Sequence, residues 1–516
     1  MRYMHYHRNQ RPDYVQRIGI GMFTSRLRYG CRRLVHSALI ASLVAGCASL
    51  TVVDTTPLPS TKLEAPESET ISSNGYRFAS LALSDQFPDL FVLVAMSGGG
   101  KRSAAFAYGA LKGMREVTIP GDVGNRSLLQ AVDEISGVSG GSFTAAYYGL
   151  YRDKAFDRYE KDFLYADTNS YIFGIYLLPW HWGWLVNPST GTNDYMARAY
   201  DETMFHGATF KDLMPLGRPL ITIGATDISY GNPFVFTQET FDLICSDLSD
   251  FPIARAVAAS NGFPGLFSPV TLTSHAADCG GRRPGWVRRI GERDRRDPLS
   301  RMGMQARTLD QYLDPTHTSY LHLVDGGVAD NLALRTTGGM MENLAQSPKS
   351  ITARGADRIR RVLVLSIDGE GAQDTSVAQR KAVGGVLSLF GLVSGGQIDR
   401  YNFETLTTVT AQLRDAAQAL RTARCARSPT IDGKRCDDVR AELVHISLAS
   451  IPDGPEKAKL IAIPTGLTIQ PHDVDLLVAA GESAITTSEQ LRHFLDNYPR
   501  QSPSATPGEP HAHAGH

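Results

Sequence analysis

The chain is 516 residues long, enough to bury a large core, and its length alone allows two to four domains. It carries 52 basic and 53 acidic side chains, so no whole-chain field draws it to nucleic acid. Mean hydropathy is slightly negative, and no apolar run approaches the roughly 20 residues needed to span a bilayer.

The N-terminus reads as a targeting segment. Arg26, Arg28, Arg32 and Arg33 precede the apolar stretch Leu34 to Gly46, which ends at Cys47. A charged region followed by so short an apolar core predicts a signal peptide over 1–46. Residues 1–21 make a long leader, so Met22 is an alternative start. The end, LVAGCAS, resembles a bacterial lipobox. Small residues before a cysteine let a signal peptidase cleave at Cys47, whose thiol then carries lipid. Acyl chains contribute about 0.8 kcal/mol per buried methylene, so a multiply acylated cysteine is a firm membrane anchor. The alternative is a plain secretory signal with an incidental cysteine. No Asp follows Cys47, which by resemblance to enterobacterial lipoproteins favours the outer membrane of a bacterial envelope.

Residues 48–75 are rich in Pro, Ser and Thr and read, with Cys47, as a lipidated flexible tether over 47–75. A domain is expected over 76–370. Leu90 to Met96 reads as a buried strand and Ala104 to Arg115 as a helix. The run AVDEISG leads up to Ser139, and a helix follows it. Further strands are expected at Pro219 to Ile228, Tyr320 to Gly327, Arg361 to Gly369 and Ala441 to Ala449. Short apolar runs separated by helices predict an α/β fold. Its central sheet is mostly parallel, with helices on both faces. Residues 371–500 are expected to complete the domain, and 501–516 to form a disordered tail whose histidines are solvated.

Two stretches read as insertions. Tyr171 to Val186 is crowded with aromatics and is either a lid, acyl-chain wall or bilayer contact, or a satellite core under a loop. Gly280 to Arg307 is rich in arginine, whose forked guanidinium binds phosphate bidentately. Lipid-headgroup contact and a solvated loop are the two readings. Beyond Cys31 and Cys47 the chain has Cys245, Cys279, Cys425 and Cys436. Four cysteines allow three pairings. Cys245–Cys279 and Cys425–Cys436 are favoured because they close the shortest loops, with four buried thiols as the alternative. No pair has the C-x-x-C spacing of a metal site.

Three short stretches carry chemistry. Ser139 stands between Gly137 and Gly141 at G-x-S-x-G spacing, on a strand-to-helix turn that would expose its hydroxyl. The following helix N-terminus adds partial positive charge. Gly98, Gly99 and Gly100 leave one strand and enter a helix, so their amides can converge on an anion. A phosphate-binding loop is the alternative, but these residues satisfy neither usual phosphate motif. Asp325 closes a strand ahead of Gly326 and Gly327, where an acid can lean into a site; a turn aspartate is the ordinary alternative.

The order glycine loop, G-x-S-x-G, D-G-G resembles the patatin-like phospholipase family, whose fold is a three-layer α/β/α sandwich. VAASNGFPGLFSPV (Val257 to Val270) and GATDISYGNPFVF (Gly224 to Phe236) are similar to further family segments. The resemblance covers roughly 90–335, with the strand near 361–368. It implies a Ser139 nucleophile and an Asp325 general base. It further implies an oxyanion hole from Gly98, Gly99, Gly100 and the backbone at Lys101, with Arg102 at the usual basic position. Ser103 departs from the family pattern, which has glycine there. An ordinary carboxylate, pKa about 3.9, is a weak base at neutral pH, so the dyad requires an Asp325 made more basic by burial.

The resulting expectation is a lipid-anchored serine hydrolase of phospholipid or lysophospholipid esters, with no metal and no cofactor. A Ser–Asp–His triad remains open, since His445, His472 and His493 follow Asp325. So does a non-catalytic lipid-binding lipoprotein.

Overall fold

The computed structural model describes residues 52–58, 75–78, 87–120, 124–168, 170, 191–279, 283–284, 287, 290, 295–297, 299–346, 351, 355–370, 375–379, 381 and 386–496. The signal peptide, Cys47, the aromatic stretch 171–186 and the tail 501–516 lie outside them. The stretches 48–75 and 280–307 lie partly outside.

Nine strands form one sheet. In chain order they are β1 (Val52–Val53), β2 (Leu90–Met96), β3 (Val132–Val138), β4 (Leu220–Asp227), β5 (Asn232–Val235), β6 (Val270–Thr273), β7 (Tyr320–Asp325), β8 (Arg361–Asp368) and β9 (Arg440–Ser447). Their order across the sheet is β1-β6-β7-β4-β3-β2-β8-β9, with β5 also paired to β4. From β4 to β9 every pairing is parallel. The reversals are at β4–β7, β6–β7 and β4–β5.

The unbroken apolar run of β2 is the signature of a strand covered on both faces. Successive side chains alternate between faces. Val92, Val94 and Met96 enter one core, while Phe91, Leu93 and Ala95 enter another. The first core is shared with helices α1 (Gly100–Glu116), α2 (Gly140–Tyr151) and α3 (Ile253–Ser260). The second is shared with α6 (Val386–Arg427), through Val409, Leu413, Ala416 and Leu420. Between them in sequence lie α4 (Arg301–Tyr312) and α5 (Arg335–Gln346). The layering is the expected α/β/α arrangement.

The chain after residue 370 is integral to it. Helix α7 (Pro471–Thr486) crosses α1 at backbone contact. A Cβ on Gly109 would stand 2.0 Å from the Val478 carbonyl oxygen, and one on Gly481 2.1 Å from that of Phe106.

The tether reading is corrected for residues 52–58. Val52–Val53 extends the sheet beside β6, and Thr56–Pro57 pairs with Ser246–Asp247. Buried Thr55 bonds to Ser246 Oγ (2.8 Å) and donates to the Thr273 carbonyl (3.0 Å). Leu58 packs on the Cys245–Cys279 disulfide. Composition marked this stretch as loop, but its backbone groups find partners on a sheet edge. Cys425 is bonded to Cys436, stapling the end of α6 to the following hairpin. In the arginine-rich stretch, Arg295 pairs with Asp310 and donates to the carbonyls of Ile290 and Val287. That arginine is a structural brace.

Candidate active site

Strands β2, β3 and β4 run parallel, so their carboxyl ends share one edge, and antiparallel β7 brings Asp325 to it. Ser139 follows β3 directly and is the N-cap of α2, with φ 50° and ψ −121°. A non-glycine residue there is strained, and such strain persists only when its surroundings over-determine it. Two neighbours hold it. The Ser139 N–H donates to Ser260 Oγ (2.8 Å), and its carbonyl accepts from Ser142 Oγ (2.6 Å). Gly140 is required by close approach: a Cβ would lie 2.0 Å from the Gly100 carbonyl oxygen. The elbow and the glycine loop are thus packed backbone to backbone.

The strained turn aims the hydroxyl at two acceptors. Ser139 Oγ donates to Asp325 Oδ2 at 2.9 Å, and Asn261 Oδ1 is the longer alternative at 3.3 Å. The other Asp325 oxygen, Oδ1, accepts the Gly327 N–H (2.8 Å). The Asp325 and Gly326 amides bond to the carbonyls of Gly262 and Ser260, which ties the end of β7 to the end of α3. Burial pushes the Asp325 carboxyl up to about 6, against the pull of the Gly327 amide and the Ser139 hydroxyl. It is therefore mostly ionised at neutral pH and a stronger base than an exposed aspartate. Among the described residues no histidine bonds to Ser139 or Asp325. His445 instead sits on β9, near Ser366 and Asp368.

The glycine loop needs one correction. The Lys101 amide is committed to the Gly466 carbonyl (2.8 Å), and the Gly98 amide to the Asn331 carbonyl (2.8 Å). The amides of Gly99 and Gly100, where α1 begins, have no partner among the described residues. Those two, with the helix dipole behind them, are the donors the loop offers to a negative oxygen. The Lys101 side chain donates to the Ala166 carbonyl and lies 4.9 Å from the Phe163 ring centre. Arg102 Nε donates to the Gly369 carbonyl (2.9 Å) and Nη1 to that of Ile463 (3.0 Å). Ser103, the departure from pattern, donates through Oγ to the Ser97 carbonyl (2.6 Å).

The structure brings together Gly98 to Gly100, Ser139 and Asp325. It adds Ser260, Asn261 and Asn331, to which the sequence reading gave no role. The first two lie inside VAASNGFPGLFSPV and Asn331 ends LVDGGVADN, but no local pattern reports that they meet the elbow and the loop.

A serine on a strained strand-to-helix turn, facing a buried carboxylate beside a helix-capping glycine loop, has the geometry that acyl transfer to a serine requires. Residues 94–337 match the family model for patatin-like phospholipases. No curated protein matches the chain significantly. Similar solved structures include human GIVD cytosolic phospholipase A2, at 12% identity and TM-score 0.38, covering 81% of this chain and 64% of that one. The same human protein in complex with methyl gamma-linolenyl fluorophosphonate and terbium chloride is similar at 13% identity and TM-score 0.36, covering 81% and 61%. The chain spans about three fifths of the length of these human proteins.

Proposed function

We propose that the protein is a serine hydrolase of phospholipid or lysophospholipid carboxyl esters, working through a Ser139–Asp325 dyad. The observation that carries this reading is the 2.9 Å hydrogen bond from Ser139 Oγ to a buried Asp325. Asp325 takes the hydroxyl proton as Oγ attacks the ester carbonyl carbon. The carbonyl oxygen becomes negative and is received by the Gly99 and Gly100 amides. Collapse of the tetrahedral adduct breaks the bond to the alcohol, which leaves with the proton held by Asp325. Water, deprotonated by the same carboxylate, then frees the fatty acid and regenerates Ser139. No step calls for calcium. A free serine hydroxyl is a weak nucleophile, and this arrangement supplies the base it needs.

The test is labelling with a fluorophosphonate, mapped by mass spectrometry, together with turnover of phospholipid and a p-nitrophenyl ester. Label on Ser139 and loss of turnover in Ser139→Ala support the reading. Equal turnover by both proteins removes it, and absence of turnover and label in both favours a non-catalytic lipid-binding role. Acylation of Cys47, and with it attachment to a bacterial outer membrane, is proposed on the lipobox alone. No helix among the described residues is long and apolar enough to cross a membrane. Fractionation of cells expressing wild type and Cys47→Ser tests the anchor, which fails if both proteins partition alike.

A further inference from the structure

Behind the glycine loop lies a second buried carboxyl that the dyad does not use. Glu370 follows β8 by two residues. Its Oε2 accepts from Asn331 Nδ2 (2.6 Å) and from Asn402 Nδ2 (3.0 Å), which leaves Oε1 to carry a proton. Asn331 in turn grips the loop. Its carbonyl accepts the Gly98 amide, and its Oδ1 would stand 2.3 Å from a Cβ at Gly98. A Cβ on Gly99 would lie 4.0 Å from Glu370 Cα and 3.8 Å from the Gly369 carbonyl oxygen. Glu370 therefore touches neither Ser139 nor Asp325, yet adjoins the amides that would receive the negative oxygen.

We propose, resting on the dyad reading above, that Glu370 is a positioning residue: through Asn331 it holds the glycine loop, and it serves only while its carboxyl is neutral. An ionised Glu370 would place a fixed negative charge beside the developing oxyanion, where donors are meant to act unopposed. The surroundings fit that role. Burial, then Asp368 at the end of β8 and Asp399 on α6, push the Glu370 carboxyl up to about 8. Asn402 on α6 and Arg102 on α1 pull the other way, and His445 on β9 faces Asp368. Arg102 is turned to the carbonyls of Gly369 and Ile463 and forms no ion pair with Glu370.

The experiment is the pH dependence of the fluorophosphonate labelling rate at Ser139, from pH 5 to 10, with melting temperatures on the same samples. Wild type is expected to slow above about pH 8, the value at which Glu370 loses its proton. Glu370→Gln keeps the amide-binding oxygen without the charge and is expected to lose this alkaline fall. Asp399→Asn changes an exposed position, removes a repelling charge and is expected to move the fall to lower pH, with an unchanged plateau. Asn331→Ala keeps the backbone bond to the Gly98 amide but removes the side chain that links the loop to Glu370, and should slow labelling roughly tenfold to a hundredfold at all pH values. An alkaline fall that persists in Glu370→Gln and stays put in Asp399→Asn overturns the inference while leaving the dyad intact. Absence of label on wild-type Ser139 overturns the dyad reading, and this inference with it.

Discussion

The two walls of the site are made differently. The Ser139 wall is built within the family-matched stretch: elbow, Ser260, Asn261 and Asp325 all lie between residues 94 and 337. The wall behind the glycine loop is built largely from later chain. Gly466 accepts the Lys101 amide, Gly369 and Ile463 hold Arg102, Ile367 accepts the Ser97 amide, and Glu370 holds Asn331. The difference teaches that chemistry and its support separate in sequence. The motifs bring the proposed dyad and the glycine loop, and chain with no motif of its own fixes where the loop's amides point.

Four predictions sharpen or break that division. The largest effect belongs to the Ser139 wall: Ser139→Ala should lower ester turnover at least about a thousandfold, and Asp325→Asn comparably. Wild-type kcat/KM should rise with pH through about 6 as the Asp325 carboxyl ionises. Next comes Gly100→Ala, at φ 61°, whose Cβ would lie 2.4 Å from the Gly466 carbonyl oxygen. Turnover should fall on the order of a hundredfold, the cost of misplacing an oxyanion donor. Near-normal turnover in this variant would mean that the later chain does not set the loop.

The third effect is on stability. The folded carboxyl of Asp325 titrates at about 6, above its ordinary 3.8, so the native state holds its proton more tightly than the unfolded chain. Its favourable contribution is present in full below pH 4 and is lost as pH rises to about 6. Asp325→Asn should therefore gain on the order of 2–3 kcal/mol relative to wild type above pH 6, and nothing below pH 4. Denaturant melts at pH 4 and pH 8 check the sign. The smallest is Ser260→Ala, which leaves the buried Ser139 amide without its acceptor and should cost about 1–3 kcal/mol. Turnover should drop with it, because the strained elbow loses a brace.

Much of this was legible in the chain. The predicted strands at Leu90, Pro219, Tyr320, Arg361 and Ala441 match β2, β4, β7, β8 and β9 to within two residues. Continuous apolar runs of that length have few other homes. Helix α1 begins at Gly100, four residues ahead of the expected Ala104, because a helix capped by glycines carries no polar capping signal. The reversed direction of β7 was not legible, since a strand's alternation is the same read either way. Val52–Val53 was missed because two residues carry no period at all. Within the candidate site, the G-x-S-x-G, glycine-loop and D-G-G motifs pointed to residues that the fold brings together. Asn331 and Glu370 did not announce themselves, being 39 positions apart and joined only by the fold.

The strap at Thr55 and Leu58 bears on geography. Val52, the first of the described residues seated in the sheet, stands five positions after Cys47. Five residues of fully extended backbone reach at most about 18 Å. If acyl chains are attached at Cys47, the β1 edge is moored at the bilayer and does not roam on a long leash. The protein would then meet chiefly the lipids immediately around its own anchor.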